Sequence, residues 1–374
     1  MARDRTPSFS PSRATTHKSM SPTRREAPLF TVAIPTYNRA QWLQRCVASA
    51  LSQSFSSYEV IVSDNASTDS TADVLARLAD RRLTVFRQAS NVGPIANWNA
   101  CLAAANGTYV VMLSDDDMVA PHFLERCSSV SADSVDLPVI VGLGGVLNPH
   151  TGWRKPAILS RRLHSGVCCG TELLGEFLRG NISPQMCTVA MNAGTLRSRG
   201  GFPDGWPHTG DLASWIPLLL GGNVGFVNES CGTYCSHDHT QTARLPLDVR
   251  LKDIERLGCV IVGEAIQQIH NPLVLDEITR LVPRYVARNC VGHMASERRS
   301  GASRGEVART AWARRRQLSG AEIADLGAFV RPLALFVLPL WLTDRLTRAR
   351  RRLRSAWAKV VALQSSRAAP RGLP

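Results

Sequence analysis

Three carboxylates in succession, Asp115, Asp116 and Asp117, follow the apolar run Tyr109-Val110-Val111-Met112-Leu113. A short run with Tyr and Val that ends abruptly in polar residues predicts a buried strand. Carboxylates gathered at the end of such a strand repel one another unless a positive charge lies between them. A hard divalent cation, Mg²⁺ or Mn²⁺, takes oxygen ligands of this kind and carries phosphates with it. The competing expectation is a solvated acidic turn that caps the next helix. Two further polar clusters, residues 35–39 and Asp64-Asn65, end apolar runs in the same way.

The elements that must position these clusters alternate. Residues 30–34 predict a strand. Residues 40–53 predict a helix with Trp42, Leu43, Cys46, Val47, Ala50 and Leu51 on one face. A second strand is expected over 58–62, then a helix capped by Ser67 or Thr68 that turns Val74, Leu75 and Leu78 inward. Residues 83–86 predict a third strand. Gly93-Pro94 opens a helix with Trp98 and Leu102, Pro being suited to a first helical position, and Asn106-Gly107 ends it before the fourth strand at 109–113. Strand and helix in alternation imply an α/β fold, a single mostly parallel twisted sheet with helices on both faces. Ligands of such sheets lie at the carboxyl ends of the strands, where all three polar clusters fall.

The blocks "TVAIPTYNRAQWLQRCVASALSQSF", "YEVIVSDNASTDST" and "NVGPIANWNACLAAANGTYVVMLSDDDMVAPHFLE" resemble, in this order, the nucleotide-binding half of family-2 glycosyltransferases with the GT-A fold. The resemblance is dense over 30–125, thinner over 194–242 and absent elsewhere. It implies a GT-A domain over 29–245, with a nucleotide-binding half at 29–130 and an acceptor half at 131–245. It also implies a nucleoside diphosphate sugar donor, held by Pro35, Thr36, Tyr37, Arg39, Asp64, Asn65, Gly93, Asn97 and Asp115. Asn65 stands where many members have a second Asp, which leaves the base open. The Asp run fits the metal motif in two registers, Asp115 with Asp117 or Asp116 with Asp117, and counting back from Pro121 favours Asp116. The metal is expected on Asp116, Asp117 and His237, the last following Tyr234 at the family's spacing.

Glycosyl transfer of this kind builds negative charge on a departing diphosphate, which a cation stabilises. The acceptor hydroxyl needs a general base, and a single displacement inverts the anomeric centre. "GGFPDGWPHTGDLASWIPLLLGGNVGFVNESCGTYCSHDHTQT" resembles the family's acceptor block, in which an acidic residue opens an amphipathic helix. This makes Asp211 the expected base, with Asp204 as the fallback; Gly210 stands where many members have Glu. The bland reading of Asp211 is a helix cap and dipole partner. A rival reading of Cys231, Cys235, His237 and His239 is structural zinc, although their spacing is not of the Cys-x-x-Cys type. A further alternative is a non-catalytic sugar-nucleotide or nucleic-acid binder on the same sheet.

Ten cysteines are scattered through the expected elements and read as reduced; the N-terminus has no apolar leader, so a cytoplasmic protein is expected. The chain carries a net charge of +14, placed mainly at its ends. Residues 1–28 carry six bases and two acids and read as a disordered tail, whereas residues 329–374 carry ten bases and one acid. Residues 246–328 read as helical, with Ile254, Leu257, Val260, Ile261, Ala265 and Ile269 near helical spacing and no evident chemistry. Residues 328–342 are apolar but broken by Arg331, Pro332 and Pro339, too short to span a bilayer. Arg345, Arg348, Arg350, Arg351, Arg352 and Arg354 follow, with Leu346, Leu353, Trp357 and Val361 among them. This pattern predicts a segment lying on an anionic membrane surface. Nucleic-acid binding is the second reading of the same charge, and a helix packed on the enzyme the third. The expected partners are therefore a sugar donor, a glycan or lipid-linked acceptor and an anionic membrane surface on the inner face of the cell membrane, with no nucleic acid.

The membrane reading is checked by vesicle flotation. The full chain should bind anionic vesicles and neutral ones less. High salt should weaken binding in part, because charge is screened over about 8–10 Å while apolar burial is not. Deleting 329–374 should abolish it. A full chain that ignores anionic vesicles contradicts this reading.

Overall fold

The computed structural model describes residues 27–132 and 136–314. The basic N-terminal tail up to residue 26 and the apolar and basic C-terminal segment lie outside the described residues. The first half of the sheet is built from β1 (Phe30–Thr36), α1 (Ala40–Leu51), β2 (Tyr58–Asp64), α2 (Thr71–Ala76), β3 (Leu83–Arg87), α3 (Pro94–Ala104) and β4 (Tyr109–Met112). The four strands pair in parallel in the order β3-β2-β1-β4. β1 and β2 run two residues past their apolar stretches. Pairing continues through Pro35 opposite Ser63 and Thr36 opposite Asp64, which carries the expected ligand-binding residues on rigid strand ends. α2 begins later than the caps suggested. Ser67 and Thr68 instead join two turns: Asn38 N–H donates to Ser67 Oγ at 2.9 Å, and Thr68 N–H to Asn38 Oδ1 at 2.7 Å.

The second half comprises β5 (Met118–Val119), α4 (Phe123–Ser131), β6 (Val139–Leu147), β7 (Arg154–Lys155), β8 (Gly166–Cys169), α5 (Gly170–Arg179), β9 (Val189–Asn192), α6 (Ala193–Ser198), α7 (Gly210–Trp215), β10 (Asn223–Cys235) and α8 (Gln241–Arg244). Here the sheet is mixed. β9 lies antiparallel between β4 and β6, β10 runs parallel to β6, and β5 and β8 pair antiparallel with β10. The whole path reads β3-β2-β1-β4-β9-β6-β10-β5.

Alternate residues of each central strand feed separate cores. Val32 and Ile34 of β1, with Tyr109 and Val111 of β4, join Leu43, Val47 and Phe123 on one face. Ala33, Val110 and Met112 join Leu174, Trp215 and Phe226 on the other. Each fully buried side chain of this size contributes about 1.5–3 kcal/mol, so the sheet is anchored from both sides.

Three helices follow: α9 (Leu247–Gln268), α10 (Pro272–Arg299) and α11 (Arg304–Ala313). α9 buries Leu251, Ile254, Leu257, Ile261 and Ala265, a single helical stripe, in the second core together with Ile278, Leu281 and Tyr285 of α10. The appendage is thus continuous with the sheet's own core. Among the described residues, no helix is long and apolar enough to cross a membrane.

Gly107 sits where the chain passes from α3 into β4. Its N–H donates to Thr31 Oγ1 at 2.9 Å, and the Thr31 hydroxyl donates to Glu59 Oε1 at 2.7 Å. A β-carbon here would lie 2.5 Å from Thr31 N and 2.6 Å from Phe30 C, both backbone atoms of a central strand. Gly107→Ala should therefore cost about 1–3 kcal/mol, the usual range for overpacking. The check is urea unfolding, where the midpoint should fall with the slope unchanged. An unshifted midpoint would show that α3 can back away from β1.

Candidate active site

The turns after β1, β2 and β4 meet in one crevice. The turn after β1 carries Thr36, Tyr37 and Arg39 and bends at Asn38, whose φ of 54° is left-handed. Asn suits that conformation because its short side chain bonds locally, here to the turn after β2. Tyr37 is exposed, while Thr36 is buried with a hydroxyl that makes no well-formed hydrogen bond and turns toward Asp115. Asp64 is buried at the end of β2, where it accepts the Ser67 N–H at 2.9 Å and pairs with Arg87 at the end of β3. Arg87 was not expected from the sequence. The available signal was a base directly after the apolar run of the strand neighbouring β2.

Asn65 and Asn97 turn toward the protein. Asn65 donates to Asn91 Oδ1 at 2.9 Å and accepts the Val92 N–H at 2.9 Å, bracing the loop before Gly93. Asn97 accepts the Ser63 hydroxyl at 2.6 Å and donates to Ser63 O at 3.1 Å. Both have a bracing role where the resemblance implies a nucleotide contact. Gly93 precedes α3 with a φ of 87°, a conformation open to glycine.

The three aspartates are all buried and differ in their surroundings. Burial, then the charge of Asp116, pushes Asp115 up to about 7; the Thr36 hydroxyl, Arg39 and the Tyr37 amide oppose this. Asp117 is also raised, by burial and then by Asp116, although its Oδ1 accepts the Cys235 N–H at 2.7 Å. Asp117 is thus tied to β10. Asp116 faces two basic side chains: its Oδ2 lies 4.0 Å from Arg39 Nη1 and 3.2 Å from His237 Nε2. Arg39 also donates to His239 O at 2.5 Å, bridging the turn after β1 to the turn after β10.

His237 is buried and stacks on Trp42 of α1 with ring centres 4.8 Å apart, and His150 stands edge-on to both rings. Its Nδ1 accepts the His239 N–H at 3.2 Å, while Nε2 has no well-formed hydrogen bond and points at Asp116. Burial, the largest influence, lowers its pKa and favours the neutral ring, the form that can ligate a metal. Buried carboxylates beside an under-satisfied imidazole nitrogen are donors that fit Mg²⁺ or Mn²⁺. Among the described residues, no three His, Cys, Asp or Glu side chains already converge on one point. The zinc reading fails on distance. Cys231 and Cys235 lie on one strand, about 13 Å apart at about 3.3 Å per residue, and Cys235 Sγ accepts from Arg45. All ten cysteines are free thiols.

Asp211 lies in the first turn of α7 on the wall of a cavity of about 460 Å³. Phe177, Gln185, Trp215, Tyr285 and Arg288 also line it. Burial, and to a smaller degree the charge of Asp253, raises Asp211 to about 6 against the pull of its own and the Leu212 amide. Asp204 is exposed on the preceding turn and is not part of that wall. The charges of Asp117, Asp116 and Asp211 all act on Tyr234 of β10, which therefore lies within electrostatic reach of both the aspartate cluster and Asp211. The sequence alone marked Tyr234 only as a spacer to His237.

Comparison with known proteins agrees with this geometry. Residues 31–142 match the family model described as glycosyl transferase family 2. An uncharacterized glycosyltransferase of Haemophilus influenzae is 34% identical over 101 residues, 26% of this chain and 40% of that protein. A chondroitin synthase of Pasteurella multocida is 38% identical over 101 residues, 27% of this chain but only 10% of that protein. The chain thus spans well under half the length of these relatives. The structure of S. aureus TarS residues 1–349 in complex with UDP-GlcNAc superposes with a TM-score of 0.56 at 14% identity, over 82% of this chain and 89% of that one. Residues 31–142 thus resemble glycosyl transferase family 2, and the fold of the chain is GT-A.

Proposed function

We propose that the protein transfers a glycosyl group, with inversion, from a nucleoside diphosphate sugar to a hydroxyl of a glycan or lipid-linked acceptor. The observation that carries this reading is Asp211: a half-buried carboxylate with a pKa raised to about 6, on a cavity wall and near enough to the aspartate cluster for its charge to act on Asp117. A base of that strength is ionised at neutral pH and still accepts a proton readily. The solved neighbour with UDP-GlcNAc and the chondroitin synthase relative support a sugar nucleotide as donor and polysaccharide synthesis as setting.

Thr36, Tyr37 and the strand ends that carry Asp64 form the nucleotide side. Arg39 lies beside the diphosphate position, and Asp116 with His237 would hold Mg²⁺ or Mn²⁺, Asp117 bracing them from β10. When bound, the cation neutralises charge on the leaving diphosphate. Asp211 takes the acceptor proton from the cavity side as the hydroxyl attacks the anomeric carbon and the bond to the diphosphate breaks. Among the described residues that line the cavity Asp211 is the one carboxylate, which supports a single displacement with inversion. The basic C-terminal segment would bring this site to an anionic membrane face.

Hydrolysis of a panel of UDP-, GDP- and dTDP-sugars with Mn²⁺ tests the reading. One donor should be consumed; a non-catalytic binder would retain nucleotide and release none. Asp116→Ala should abolish both hydrolysis and the metal-dependent part of nucleotide binding while circular dichroism stays unchanged. Near-normal turnover in that variant would remove Asp116 from the metal site.

Asp211→Asn should keep nucleotide affinity and lower turnover by about 10²–10⁴, the usual contribution of a general base. For the unmodified protein, kcat/KM should rise with pH through about 6 as Asp211 ionises. Stability runs the other way. A carboxyl whose folded pKa exceeds its unfolded value of 3.8 disfavours the fold once ionised, a penalty that grows between about 4 and 6 and is complete above. Asp211→Asn should therefore melt no lower than the parent at neutral pH. A large drop in melting temperature with normal turnover per folded molecule would make Asp211 a cap and nothing more.

A further inference from the structure

The segment leading into α7 has little structure of its own. Residues 205–209, Gly-Trp-Pro-His-Thr, join the loop after α6 to a helix of six residues with no side-chain cap. Every one of them is held from outside. Arg256 of α9 donates to Gly205 O at 2.7 Å and lays its guanidinium 4.0 Å over the Trp206 ring. Gln241 of α8 donates to Pro207 O at 3.2 Å. His293 of α10 meets His208 Nε2 to Nε2 at 3.2 Å, with the rings perpendicular. Asp253 of α9, itself 5% exposed, accepts the His208 N–H at 2.8 Å, the Thr209 N–H at 2.9 Å and the Thr209 hydroxyl at 3.3 Å, all on Oδ2. Two residues after this anchor stands Asp211.

We infer that Asp253 is a positioning residue for the reaction: it fixes the backbone at the entrance of α7 and so sets where the Asp211 carboxylate stands on the cavity wall. The inference rests on the reading of Asp211 as the base. It gives the helical appendage a part in the chemistry, since α9 and α10 grip the segment and α10 also supplies Tyr285 and Arg288 to the opposite wall. A base displaced by about 1 Å from its partner can lose about 10²-fold in rate, so an anchor two residues away acts directly on turnover.

Asp253 also acts through its charge, which adds to the burial that raises Asp211. The other groups facing Asp211 are Tyr285 and Arg288 of α10, Arg179 of α5, Lys155 of β7, Tyr234 of β10 and Asp117 after β4. The two histidines of the clamp do not titrate in the same range, since burial lowers His208 to about 4 and His293 to about 3.

The test compares three variants of the full chain by donor hydrolysis, nucleotide affinity and pH profile. Asp253→Ala removes the anchor and should lower turnover per folded molecule about 10- to 100-fold with nucleotide affinity unchanged. Asp253→Asn keeps an oxygen able to accept the same bonds but lacks the charge. It should restore most of the turnover and move the acid limb of kcat/KM below about 6. Arg256→Gln, at an exposed site, should lower turnover severalfold without changing the melting temperature. A purely structural anchor would lower the melting temperature of Asp253→Ala and leave turnover per folded molecule and the acid limb where they were, which overturns the inference. If Asp253→Ala does not fold, the other two decide: an unmoved acid limb in Asp253→Asn with full turnover in Arg256→Gln also overturns it. Loss of turnover in Asp211→Asn without any effect at Asp253 or Arg256 sinks this inference alone, whereas normal turnover in Asp211→Asn sinks the base assignment beneath it.

Discussion

Negative charge concentrated at the end of β4 is the constraint around which the crevice is arranged. Asp115, Asp116 and Asp117 are all buried, and the charge of Asp116 makes ionisation of both its neighbours more costly. Three devices hold them in place. The Cys235 amide binds Asp117, the Thr36 hydroxyl and Tyr37 amide face Asp115, and Arg39 with His237 faces Asp116. These come from β1, β10 and the turns that follow them, so the cluster cannot be kept unless the two halves of the sheet close on each other. Burying unpaired carboxylates costs several kcal/mol each in effective terms, which a fold tolerates at a site whose ligand supplies the missing positive charge.

The acceptor side follows a different logic. Asp211 is raised mainly by burial, against the pull of its own and the Leu212 amide. Asp115 and Asp117 have negative neighbours, to which a metal is the proposed answer, whereas Asp211 is left as a weak acid with a proton to exchange. The helices after residue 246 make this possible, because α10 closes the cavity opposite Asp211 while α9 fixes its approach.

Much of the nucleotide side is legible in the sequence. The strands and helices of residues 30–113 show themselves through short apolar runs, Gly-Pro and Asn-Gly punctuation and polar residues at each strand end. What those local signals do not show is how far a ladder continues. Thr36 and Asp64 are polar, yet they pair as strand residues because their neighbours impose it. Side-chain direction is hidden too: Asn65 and Asn97 look like ligands by position and turn inward because buried loop amides and Ser63 need partners. Arg87, Trp42 and Tyr234 join the site from elements far apart in the chain, which no local pattern reveals. The role of α9 and α10 was least visible, since Asp253 and His293 meet the segment before Asp211 only through long-range packing.

The account depends on one coupling, between a cation at Asp116 and the diphosphate of the nucleotide. Titrating Mn²⁺ into the protein by paramagnetic resonance, with and without a nucleoside diphosphate, measures it directly. Mn²⁺ alone should bind weakly, since no three protein side chains converge on one point among the described residues. Nucleotide should tighten it at least tenfold, with the reciprocal gain in nucleotide affinity that linkage requires. Nucleotide binding that is equally tight in chelator and in Mn²⁺ would contradict a metal-bridged diphosphate at this cluster.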